Sequence, residues 1–252
     1  MRSITIFTAA LLLWGAVPAL AQDNNATQAP PPGQSTAPAD AAAPADAPAS
    51  PPPAPAMQQP TNPPMTGPQM LISTSMGDIT VQLDQVRAPK SVTSVIRYVH
   101  DRHYNGTVVY RVVKGFLIQM GSWDANQKGR PGHAPSPLEA NNGLSNLRGS
   151  VALARAAEPD SASADFFINT ADNTALDHKP DDSGNTTGYT VFGKVIAGMD
   201  VVDKISEVAV GDNGPMKGQA PVDPVTVTRV SIVGEPDVAP KAAAKALAKK
   251  KK

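Results

Sequence analysis

VYRVVKGFLIQMG, from Val109 to Gly121, holds two strand-like runs joined at Lys114-Gly115. Period two puts Val108, Tyr110 and Val112 on one face of the first run and Val109, Arg111 and Val113 on the other. In the second run Phe116, Ile118 and Met120 alternate with Leu117 and Gln119. Arg111 therefore falls on a face that otherwise asks for burial, where a charge is costly unless it is paired or used. Taken alone, such an arginine is better explained as lying over a sheet edge with its head in water.

The chain around this stretch alternates in the same way. Met70 to Thr74 and Ile79 to Leu83 are expected as strands joined across Met76-Gly77-Asp78. A helix follows from Pro89, with Val92, Val95, Ile96 and Val99 forming one apolar stripe. Strands are expected at 108–113, 117–120, 150–154, 165–168 and 189–195, a second helix from Met199 to Ser206, and a last strand from Val225 to Ile232. Residues 122–144, rich in Gly, Pro and Asn, show no sustained period and are expected as a surface loop. Several short strands and two helices suit a mainly β, closed antiparallel barrel.

Composition divides the 252 residues into four parts. Residues 1–21 place Arg2 before an apolar run from Ile4 to Val17 and end in Ala19-Leu20-Ala21, the pattern of a cleaved signal peptide that directs export to the periplasm. Residues 22–69 contain 14 prolines and 12 alanines with almost nothing to form a core, so a disordered Pro/Ala linker is expected. Residues 70–235 form the one compact domain, mildly acidic with 15 Lys and Arg against 18 Asp and Glu. Residues 236–252 end in KAAAKALAKKKK, a basic tail whose six lysines from Lys241 to Lys252 suit a polyanion or membrane surface, or simply a solvated end. The absence of cysteine excludes disulfides and thiol chemistry.

Six segments taken in order carry a family signal: VYRVVKGFLIQMG, EANNGL from Glu139, GSVALAR from Gly149, SADFFIN from Ser163, YTVFGKV from Tyr189 and GMDVVDKI from Gly198. Together they resemble the cyclophilin family of peptidyl-prolyl cis-trans isomerases, its bacterial periplasmic branch most closely, along most of residues 70 to 233. The resemblance implies an eight-stranded barrel with a helix capping each end, and an activity needing neither cofactor nor metal. Proline-containing polypeptides are the implied partners. No nucleic acid is expected as a partner, and the chain is expected to be a monomer.

Rotation about an X-Pro bond must cross a barrier of about 18–20 kcal/mol set by amide resonance. An apolar slot for the pyrrolidine ring helps, as does a donor aimed at the prolyl nitrogen when it gains a lone pair in the twisted state. By resemblance Arg111 is that donor and the catalytic group. Phe116, Leu117, Phe167 and Leu176 match the proline pocket, and Gln119 the amide that bonds substrate backbone and steadies the arginine. Ala154 and Arg155 match the groove wall, while Tyr189 stands where many members have a histidine. Outside the family context the four apolar residues would be ordinary barrel core.

The departures carry expectations too. Asp165 replaces the usual glutamine and is expected in the groove facing Arg111, either locking the guanidinium or favouring peptides with basic residues near proline. Ala175 replaces a bulky aromatic, which implies poor cyclosporin binding, and Tyr110 and Met120 replace a common histidine and glycine. The alternative to the enzyme is a non-catalytic proline-peptide-binding chaperone or scaffold, tethered to the envelope by its tail. His100 and His103 have the spacing of metal ligands on a helix, but with no further Cys or His cluster they are expected as a solvated helix end.

Overall fold

Eight strands close into an antiparallel barrel in the computed structural model, which describes residues 60–180 and 187–236. In chain order the elements are β1 (Gln69–Thr74), β2 (Gly77–Leu83), α1 (Pro89–His100), β3 (Thr107–Val113), β4 (Leu117–Asp124), β5 (Ser150–Leu153), β6 (Phe166–Asn169), β7 (Val191–Ala197), α2 (Met199–Ser206), β8 (Val210–Gly211), β9 (Ala220–Pro221) and β10 (Thr226–Ile232). Around the barrel the order is β1, β10, β3, β4, β6, β5, β7, β2, and β8 pairs with β9 in a separate ribbon. The segments expected as a signal peptide (residues 1–21), as most of the linker (22–59) and as the lysine tail (241–252) lie outside the described residues.

Alternation works as expected in β1 and β2, where Met70 faces Val81 and Ile72 faces Ile79, all fully buried. The stripe of α1, Val92, Val95 and Val99, enters the same core, as do Val201, Val202 and Ile205 of α2. Pro89 opens α1, whose cap residue Ala88 has no side chain to receive the free amides. Glu139 supplies that function from a distant loop: its carboxylate accepts from Lys90 N at 3.1 Å, Ser91 N at 2.8 Å and Ser91 Oγ at 2.7 Å. A carboxylate at this end also suits the helix dipole.

The opening stretch departs from strict alternation. Register shifts between Val109 and Arg111 against β4, so Val109 and Val112 both face the barrel core. A bulge of this kind puts an extra residue into one strand and re-aims the side chains beyond it. Arg111 accordingly lies on the outer face and is half-buried, not in the core. Three boundaries also differ. β4 runs on to Asp124 because Thr107 pairs with it, the ribbon of β8 and β9 has too few residues to show a period, and residues 60–68 pack on the domain although their composition resembles the linker.

His103 is not part of a solvated helix end: α1 stops at His100, and the His103 ring sits 4.8 Å from that of Tyr98 and edge-on to Tyr104. Burial, with Arg130 next in effect, lowers its pKa to about 4. An unfolded chain would protonate it near ~6.5, so the unfolded state binds more protons between the two values. Stability is therefore whole above the upper value and lost as pH falls through the lower. A displacement of this size is worth about 3 kcal/mol in full, and residual solvent contact reduces it to on the order of 2 kcal/mol. Urea midpoints at pH 7 and pH 4.5, compared between the wild type and His103→Phe, should show a smaller acid loss in the variant. Equal losses would disprove this assignment. Asp165, whose pKa is raised by burial, acts in the opposite direction and is common to both proteins.

Candidate active site

Consecutive residues of β6 serve opposite sides of the barrel wall. Phe166 points inward, edge-on to Tyr104 and Phe192, while Phe167 points outward into a second apolar cluster with Leu117, Leu144, Ala152 and Val191. Phe116, Ala154, Leu176 and Tyr189 pack on that outer cluster. The four apolar residues expected in a pocket are thus not barrel core. Above the cluster lies a groove of about 360 Å³. Arg111, Phe116, Leu117, Gln119, Ala154, Arg155, Phe167, Leu176 and Tyr189 line it, together with Met216.

Amide side chains hold Arg111 from two sides. Its Nε donates to Gln219 Oε1 at 2.6 Å and its Nη1 to Gln119 Oε1 at 3.1 Å, and Nη2 donates to no described residue. Both partners are neutral, so the cation keeps its full charge while its plane is fixed. Gln119 lies opposite Arg111 in the β3–β4 ladder and opposite Phe167 in the β4–β6 ladder, which brings the cation, the amide and the aromatic ring into one row. The Nε2 of Gln119 is bonded to the Tyr110 hydroxyl.

Asp165 does not face Arg111, contrary to the expectation from its position. Its Oδ1 accepts from Ser122 N at 2.8 Å, and the carboxylate also faces the Tyr110 hydroxyl. It lines no part of the groove. The cause is the close approach of Gly121: a Cβ there would meet Ala164 O at 2.6 Å and Asp165 Oδ1 at 2.8 Å, so only glycine lets the two segments meet. Burial pushes both the Tyr110 phenol and the Asp165 carboxyl upward in pKa. Asp165 touches Arg111 only through the relay Tyr110 and Gln119. The expected preference for basic flanking residues loses its basis.

Arg155 is fully engaged. Its guanidinium donates to Gly188 O, Ala156 O, Ala157 O and Thr187 Oγ1 at 2.7–3.1 Å and lies 4.9 Å from the centre of the Tyr189 ring. Tyr189 is in turn edge-on to Phe167 at 5.6 Å. Arg155 therefore braces an aromatic wall. Buried amides brace the opposite wall: Asn173 Nδ2 donates to Phe116 O at 2.8 Å and to Asn169 Oδ1 at 2.7 Å, and Asn146 Nδ2 to Leu176 O at 3.2 Å.

Gln219, Met216 and these asparagines escape a sequence reading. Residues 212–219, between β8 and β9, have no period, and an asparagine in a loop sequence says nothing of its partner. No group of three or more His, Cys, Asp or Glu side chains among the described residues is placed to hold a metal ion.

Residues 69–232 match the sequence model of the family described as cyclophilin type peptidyl-prolyl cis-trans isomerase/CLD. The chain is 43% identical over 168 residues to peptidyl-prolyl cis-trans isomerase A of Dickeya dadantii, covering 67% of this chain and 86% of that protein. It is 41% identical over 159 residues to peptidyl-prolyl cis-trans isomerase B of Escherichia coli, covering 63% and 96%. In fold it is similar to a Cryptosporidium parvum cyclophilin crystallised in the presence of the dipeptide Ala-Pro, with TM-score 0.55, 22% identity and coverage of 66% of this chain and 99% of that one.

Proposed function

Because this chain belongs to the cyclophilin-type peptidyl-prolyl cis-trans isomerases and shares their activity, we propose that the outer groove is where an X-Pro bond is turned, with Arg111 as the catalytic group. The observation that supports this reading is the row of Arg111, Gln119 and Phe167 across three neighbouring strands. The proline ring fits over Phe116, Leu117, Phe167 and Leu176, and the flanking peptide runs along Ala154 and Arg155. Arg111 Nη2 points its hydrogens at the prolyl nitrogen, whose lone pair is available only when amide resonance is broken. A donor fixed beforehand by Gln119 and Gln219 binds that twisted state better than either planar state, which lowers the barrier with no proton transfer.

The substrates on this reading are proline-containing segments of exported polypeptides in the periplasm, whose folding the protein assists. Arg2, the apolar run to Val17 and Ala19-Leu20-Ala21 support export. The experiment is exchange between cis and trans signals of a short Ala-Pro peptide, followed by NMR with catalytic amounts of protein whose N-terminus, recovered from cells, is Gln22. Faster exchange is expected. Peptide binding without faster exchange would instead favour the non-catalytic chaperone, and an intact Met1 would refute export.

A further inference from the structure

The strap formed by residues 60–68 stands before the first barrel strand and outside the family match at 69–232. Four of its nine residues are proline, whose fixed φ lowers the entropy lost on ordering. Along β2 and the turn that follows, Pro68 O accepts from Leu83 N at 3.0 Å, Gly67 O from Gln82 Nε2 at 2.7 Å and Thr66 O from Gln85 N at 3.1 Å. Gly67 runs so close to this backbone that a Cβ would meet Leu83 O at 2.7 Å. Pro64 O accepts from Arg87 Nη1 at 3.2 Å.

Beyond these anchors the strap reaches the back of the groove. Met65 packs on the outer cluster that contains Leu117 and Phe167. Asn62 forms a two-way pair with the main chain of Ser145, donating from Nδ2 to its carbonyl and accepting its N–H on Oδ1, each at 2.8 Å. The other side of the same loop is tied to the groove wall. The Ser145 hydroxyl bonds Asp177, Asn146 N donates to Asp177 Oδ1 at 2.6 Å, and Asn146 Nδ2 to Leu176 O. Asn62 thus holds from outside the loop that holds Leu176 from inside.

We propose that Asn62 and Met65 are positioning residues of the proline pocket, so that this upstream strap completes a groove which the barrel alone leaves loose. The proposal rests on the groove being the substrate site. Removing Asn62 frees one half-buried carbonyl and one half-buried N–H, and the groove wall gains freedom that a substrate must then freeze out. Substrate affinity suffers while the donor at Arg111 is untouched.

The test uses the full chain with Asn62→Ala, the same short Ala-Pro peptide, and Ile232→Val as a comparison variant in the separate barrel core. Asn62→Ala should raise both Kd by NMR titration and KM by about tenfold, the scale of losing a hydrogen-bonded pair, with kcat within about twofold. Amide hydrogen exchange at Ser145, Asn146 and Leu176 should quicken. Asn62→Asp, which retains the acceptor for Ser145 N–H, should recover part of the affinity, and Ile232→Val should leave Kd and KM at the wild-type values. Unchanged Kd and KM in Asn62→Ala, or an equal rise in Ile232→Val, overturns the inference. Should Asn62→Ala fail to fold, Met65→Ala is judged by the same criteria. Failure of the wild type to bind the peptide at all would refute the groove assignment instead, which keeps the two outcomes apart.

Discussion

Arg111→Ala is expected to lower kcat/KM for a short X-Pro peptide by about 10²–10³-fold, the usual effect of deleting one donor that acts on the transition state. The fall should lie mainly in kcat. Arg111 bonds only neutral amides, at 2.6 and 3.1 Å, so its removal leaves no buried carboxylate without a partner. Buried Gln119 and half-buried Gln219 lose one bond each beside the open groove, and stability should fall by about 1 kcal/mol. Circular dichroism should therefore match the wild type. Arg111→Lys should recover little activity, because an ammonium cannot satisfy two amides while pointing a third donor into the groove. An alanine variant that keeps near-full activity would remove Arg111 from the mechanism.

The second large effect separates two neighbouring rings. Phe166 is 0% exposed within the barrel core, and Phe166→Ala should destabilise the protein by about 4 kcal/mol through lost burial and the cavity left behind. Folded molecules of that variant, studied at low temperature, should bind peptide within about threefold of the wild type, since the two sites touch different clusters. Phe167→Ala should do the reverse. Its ring belongs to the groove, whose open side lets solvent and neighbours collapse into the space, so the stability loss should be nearer about 2 kcal/mol while peptide affinity falls at least about tenfold. Denaturant midpoints and titrations on both variants check this, and equal profiles would contradict the division of the wall into an inner and an outer side.

That division shows where a sequence is informative. Alternation along β1 and β2, the stripe of α1 and the bounds of α2 follow from period two or period 3.6, because each of these elements buries one face against a single core. Nine of the ten expected site residues line the groove, and it was the resemblance, not any period, that pointed to them: Leu176, for one, sits on a short turn outside every strand ladder. The bulge between Val109 and Arg111 was not legible, since period two has no term for an extra residue. The resemblance implies an Asp165 in the groove facing Arg111, yet the contact at Gly121 turns it toward Ser122. Gln219 and Asn62 reach the site from segments with no period at all. Their partners lie 108 and 83 residues away, and only the closed chain brings them there.

The closed order of the barrel, in which β2 returns to β1, gives each of its eight strands a neighbour on both sides, although β10 and β3 meet over only two residue pairs. A free edge is a template on which another extended chain can add itself as a strand and seed aggregates. A proline-containing chain that is still unfolded is rich in exposed N–H and C=O groups. On the function proposed above, a client is held at one proline in a side-chain groove on the outer face and then released, with little barrel edge along which it could extend a ladder.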